Sequence, residues 1–187
     1  LPARFVSNDE LTKTVDTSDE WIQQRTGIKQ RYLVEDERTS DLAVGAARQA
    51  LKHAGLSADD IDIIVLATTT PNDTFPSTAS VVQKDLGAFN AFAFDIQAVC
   101  AGFVYALGVA ESLLKTGQGK RALVIGAESF SKLLDWDDRT TCVLFGDGAG
   151  AVILEAGAPV DDWGGLSSVL HTDGRYRDIL YVDGGPS

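Results

Sequence analysis

The feature that most limits the fold is a pair of unbroken apolar runs, Ile63-Ile64-Val65-Leu66 and Ala122-Leu123-Val124-Ile125. A strand with one face in water alternates apolar and polar residues; one that is apolar at every position needs cover on both faces. Segments of helical period lie between such runs. Ser40 can cap a helix whose stripe is Ala43, Ala46, Ala47, Ala50, Leu51 and Ala54, with Gly55 as its stop. Then come strand Ile61 to Ala67, a turn at Pro71-Asn72-Asp73, a helix from about Ser77 to Leu86 and strand Ala91 to Ile96. A helix from Cys100 to Lys115 and strand Arg121 to Ala127 follow. This αβαβαβ order predicts an α/β fold with parallel strands and helices on both sides. Ala149 to Leu154 and Leu166 to Leu170 are further strand candidates, expected to extend the same sheet.

No linker, repeat or low-complexity tract interrupts residues 1–187, so one compact domain is expected. The opening on Leu1 and the loop-like ending Gly184-Gly185-Pro186-Ser187 predict further sequence at both ends. A net charge of −11 repels phosphate backbones and argues against a nucleic-acid partner, so an anionic ligand needs a local basic cluster. No apolar run approaches the roughly 18 residues of a membrane span. Two cysteines, Cys100 and Cys142, without ligand spacing, argue against a disulfide framework and a structural zinc, and predict no metal and a reducing cytoplasm.

Cys100 falls between the end of a buried strand and the start of a helix, in Asp95-Ile96-Gln97-Ala98-Val99-Cys100-Ala101-Gly102-Phe103. A helix N-terminus favours thiolate over thiol and offers N–H groups to a developing oxyanion. The pattern fits an acyl-accepting nucleophile, and it fits a small apolar core residue as well. Cys142, beside an apolar run, reads as core. Thr17 and Glu20 form a capping-box pattern, which places Trp21 and Arg25 on one helical face. That pair could stack on a nucleotide and contact its phosphate, or simply pack indole against an Arg stem. Gly146-Asp147-Gly148-Ala149-Gly150 lacks a following Lys-Ser/Thr pair and leads into strand-like residues, so close backbone packing fits better than a phosphate loop. His53 and His171 read as structural or solvated.

Five ordered blocks carry a resemblance that spans the chain: Val15-Asp16-Thr17-Ser18-Asp19-Glu20-Trp21-Ile22, Arg25-Thr26-Gly27-Ile28, Phe75-Pro76-Ser77, Ala98 to Phe103, and Phe145 to Gly150. They resemble the N-terminal half of the β-ketoacyl-acyl carrier protein synthase III family. The resemblance implies a thiolase-like fold, with residues 1–187 as one αβα half of a five-layered αβαβα arrangement in a homodimer. It implies an acyltransferase that initiates type II fatty-acid synthesis, with Cys100 taking an acyl group, typically acetyl, from coenzyme A. Decarboxylative condensation with malonyl-acyl carrier protein would follow, with no permanently bound cofactor. Trp21 and Arg139 would hold the adenine between them, with Thr17 and Arg25 near the nucleotide. Phe145 would line the acyl channel, and Phe75 would close the partner's pocket. The family's catalytic His and Asn, in segments resembling His-Gln-Ala-Asn and His-Gly-Asn-Thr, do not occur here, so the piece alone is expected not to complete a cycle. A relative using another acyl-coenzyme A, or a noncatalytic half-fold binding module, stands as the alternative.

Overall fold

A computed structural model describes residues 1–157 and 167–184. Its frame is a sheet of β3 (Ile63–Ala67), β4 (Phe92–Ile96), β5 (Arg121–Ser129) and β6 (Asp147–Glu155), in the order β4-β3-β5-β6. Strand β3 runs parallel to both neighbours, with Val65 level with Phe94 and Val124. Strand β6 pairs antiparallel with β5, Val152 opposite Val124.

All five residues of β3 are buried, because its alternate side chains serve two helix layers. Ile64 and Leu66, with Leu123 and Ile125, pack against Ala43, Ala47 and Leu51 of α3 (Thr39–Ala54) and Ala79 and Val82 of α4 (Thr78–Leu86). Ile63, Val65 and Val124 pack against Ala106, Ala110 and Leu114 of α5 (Gly102–Lys115). The three αβα layers expected from the apolar runs are present. Burying each Ile, Leu or Val is worth about 1.5–3 kcal/mol, so neither helix layer is dispensable to a domain whose margin is about 5–15 kcal/mol.

The boundaries depart from expectation where polar partners intervene. Helix α3 is capped at Arg38, whose N–H donates to the Asp41 carboxylate at 2.7 Å. Ser40 lies inside the first turn and is buried, paired with Asn72 through both its N–H (3.1 Å) and its hydroxyl (2.8 Å). Ala54 is exposed, and Leu42 and Val44 are buried in its stead. Residues 167–170 form no strand, and Leu166 lies outside the described residues. That segment lies along α5 instead: Leu170 approaches Gly108, and the Tyr105 hydroxyl lies 2.8 Å from that of Thr172.

A smaller unit abuts the sheet. Strand β1 (Phe5–Ser7) pairs antiparallel with β2 (Gln30–Tyr32), and α1 (Asn8–Leu11) and α2 (Asp19–Thr26) lie between them in the chain. Val6, Leu11, Val15, Ile22 and Leu33 close around Cys142 and Val143, giving this unit its own core. Ser18, rather than Thr17, caps α2, accepting from the Trp21 N–H at 3.1 Å. Thr17 sits one residue outside, its hydroxyl oxygen buried without a hydrogen-bond partner among the described residues.

Candidate active site

Strand β4 delivers the chain into a tight elbow. After Ile96 comes a 3₁₀ turn, Val99–Ala101, and only then α5, so Cys100 stands one turn ahead of the helix rather than opening it. Val99 has φ = 49°, a left-handed conformation that a β-branched residue adopts at a cost of about 1–3 kcal/mol. Gly102 lets α5 begin hard against β3: a Cβ there would lie 3.3 Å from that of Ala67. The residue capping α5, Ala101, has no side-chain oxygen to claim the first-turn N–H groups. Cys100 is exposed at this uncapped, dipole-positive end.

The thiol borders a cavity of about 310 Å³. Its other walls include Phe103, Gly126, Glu128 and the Gly148-Ala149-Gly150 stretch of β6. Gly126 admits the Phe103 ring, which would crowd a Cβ at 3.2 Å. Gly146 lies as tightly against β2, where an added Cβ would come within 3.0 Å of the Arg31 Cβ. The Asp147 carboxylate is buried and accepts from the N–H groups of Val34 (2.7 Å) and Ser131 (2.8 Å), which anchors the glycine segment.

Glu128, which sequence reasoning missed, is held by the Thr69 N–H at 2.7 Å and the Thr70 hydroxyl at 2.5 Å. Burial raises its pKa, and the threonine hydrogen bonds oppose the rise without cancelling it. The only sequence signal was an acidic residue near the end of an apolar run, which is equally the mark of a solvated strand end.

Trp21, Arg25 and Arg139 come together as a second cluster. The Arg25 and Arg139 guanidinium carbons lie 4.3 and 5.1 Å from the Trp21 ring centroid. Arg139 also donates to the Asp16 carbonyl at 2.7 Å. A base stacked between Trp21 and Arg139 needs two contacts of roughly 3.5 Å, about 7 Å in all. The expected adenine slot is therefore too narrow for a base in this structure, and admitting one takes an Arg139 shift of about 2 Å.

Phe75 and Phe145 do not join the Cys100 cavity. Phe75 is 84% exposed on the segment before α4, and Phe145 is half-buried, stacked on Phe130 at 4.6 Å. His53 and His171 are exposed, and neither lines the cavity. Cys142 is buried in the smaller core, where desolvation and then the Asp138 charge raise its pKa.

The family model for 3-oxoacyl-[acyl-carrier-protein (ACP)] synthase III matches residues 94–174, a span that includes the elbow and every residue lining its cavity except Ala67. The β-ketoacyl-[acyl-carrier-protein] synthase III of Rhodospirillum centenum is 62% identical over 190 aligned residues, covering 100% of this chain and 59% of the relative. The chain belongs to the synthase III family. The namesake from Erythrobacter litoralis is also 62% identical, over 100% of this chain and 59% of its own length. Among solved structures, synthase III from Thermus thermophilus superposes with a TM-score of 0.92 at 42% identity, over 99% of this chain and 57% of that one. The enzyme from Aquifex aeolicus VF5 gives 0.83 at 52% identity, over 85% and 52% respectively. The thiolase-like α/β expectation is thus borne out, and the chain spans about three-fifths of the curated synthase III relatives it matches.

Proposed function

We propose that residues 1–187 are the N-terminal half of a cytoplasmic, homodimeric condensing enzyme that initiates type II fatty-acid synthesis, with Cys100 as the acyl carrier. The observation that supports this most directly is the exposed thiol on a strained elbow, at the uncapped start of α5, facing a cavity. The Cys100 thiolate attacks the carbonyl of an acyl-coenzyme A, acetyl by preference. The tetrahedral oxyanion draws on nearby N–H groups, and the coenzyme A thiolate leaves and takes up a proton. Malonyl-acyl carrier protein then loses carbon dioxide. The resulting carbanion attacks the acyl-cysteine, giving β-ketoacyl-acyl carrier protein and the free thiolate.

Stabilising that carbanion needs donors such as the His and Asn that the family resemblance places beyond Ser187. The coenzyme A thioester is a substrate, and the reading includes no permanently bound cofactor or metal. Its nucleotide docks at Trp21, Arg25 and Arg139, near Thr17, a local cationic cluster on an acidic chain. Phe145 belongs to the acyl channel and Phe75 to the partner's pocket. Cytoplasmic location is supported by the free cysteines, and among the described residues no helix is long and apolar enough to cross a membrane.

The test is covalent. The natural full-length protein incubated with acetyl-coenzyme A labelled in the acetyl group should carry the label on the peptide containing Cys100, and Cys100→Ser should abolish it. Label on Cys142 alone would sink the assignment.

A further inference from the structure

Arg31 is only 5% exposed in β2, and among the described residues it makes no ion pair. A buried guanidinium without a carboxylate is costly unless its donors are satisfied and its charge is answered at a distance; the Arg31 Nε has no partner among the described residues, so the terminal nitrogens make all its hydrogen bonds. One terminal nitrogen donates to the Asn8 side-chain oxygen at 2.9 Å and to the Val143 carbonyl at 3.2 Å. Asn8 is itself 1% exposed. Its amide nitrogen donates to the Asp19 carboxylate at 2.8 Å and to the Ile28 carbonyl at 2.7 Å.

Those two acceptors lie at opposite ends of one helix. Asp19 is the first residue of α2, and Ile28 follows Gly27, which ends it. A single buried carboxamide therefore ties down both ends of the element that presents Trp21 and Arg25. Its dipole is aligned as well, oxygen toward the cation and nitrogen toward the anion, so Asp19 answers the Arg31 charge through Asn8. The second Asp19 oxygen is held by Gln23 at 2.6 Å. The same terminal nitrogen of Arg31 also grips the Val143 carbonyl, next to Cys142, whose N–H returns to the Asp138 carbonyl, beside Arg139, at 3.0 Å.

We infer that Arg31, Asn8 and Asp19 are positioning residues that give the enzyme its preference for a nucleotide-bearing thioester, by fixing α2 and the 138–143 segment relative to each other. The inference rests on the proposed nucleotide site. Trp21 and Arg139 come from segments far apart in the chain, and Arg31 is bonded toward both. A clamp of this kind is sensitive to shifts of about 1 Å.

The experiment compares two donors in the natural full-length protein: acetyl-coenzyme A, and acetyl-pantetheine, which carries the same thioester without the nucleotide. Asp19→Ala removes the far end of the relay at a half-buried position and leaves the buried members in place. It should raise KM for acetyl-coenzyme A by roughly threefold to tenfold, with kcat and the acetyl-pantetheine reaction changed by less than about twofold. Asp19→Asn, which keeps an acceptor for Asn8 but removes the charge, should recover only part of the loss. Equal losses with both donors, or no loss with either, would overturn the relay while leaving the nucleotide site standing. An unaltered protein that uses both donors with one KM would overturn the nucleotide site and the relay together.

Discussion

Among the described residues, Glu128 is the one carboxylate on the wall of the cavity that Cys100 borders. Burial raises its pKa above the ordinary 4.5, so in the folded chain it keeps its proton to higher pH than in the unfolded chain. Folding then takes up a proton between the two values: the contribution of the neutral group is complete below 4.5 and is lost as pH rises through the folded value. Glu128→Gln has no such proton to lose. Thermal melts taken at rising pH should show the stability difference moving in favour of the variant across that window, and a constant difference would contradict the raised pKa. Asp60 and Asp138, whose pKa values are lowered by hydrogen bonds, act in the opposite sense in both proteins and drop out of the comparison. At this scale the sequence was legible where residue type implies geometry: Trp21 and Arg25, four apart on α2, do meet. It was silent on Arg31, Asn8 and Glu128, because a polar side chain in a short or frayed element looks solvated until its tertiary partners are known.

The elements repeat that division. Continuous apolar runs revealed β3 and β5, and the left-handed Gly55 ended α3 in the expected way; Gly87 ends α4 with the same left-handed turn. Caps were less legible, since Thr17 and Ser18 are both competent and only the direction of chain entry decides that Ser18 does the work. The left-handed turn at Val99 was invisible, for nothing local favours it; the packing of β4, α5 and β3 around it must hold it there. Gly102 is one tight point of that packing. Gly102→Ala adds a carbon 3.3 Å from Ala67, an overpacking cost of about 1–3 kcal/mol, partly offset by the roughly 0.5–1 kcal/mol that alanine gains in a helix. The net should lower Tm by about 2–4 °C and slow acetyl labelling of Cys100 as the elbow shifts. A faster-labelling variant would show that the tight approach does not serve the thiol.

For the whole molecule, sequence blocks pointed to the αβα layering and the family, while the antiparallel pair of β1 and β2 escaped notice because three-residue strands carry no period. Phe75, Val104 and Leu144 present apolar surface that nothing in the described chain covers. With Phe75 assigned to a partner's acyl pocket, Phe75→Thr in the natural full-length protein should move the kcat/KM ratio toward longer acyl-coenzyme A donors by about tenfold. An unaltered donor profile would remove Phe75 from the pocket. The unequal burial of the two cysteines has a practical consequence. Cys100 is open to solvent and Cys142 is sealed in the smaller core, so within residues 1–187 a thiol-reactive dye reaches one thiol in the folded state and two once this region unfolds. The second equivalent counts unfolding events directly, without an engineered reporter.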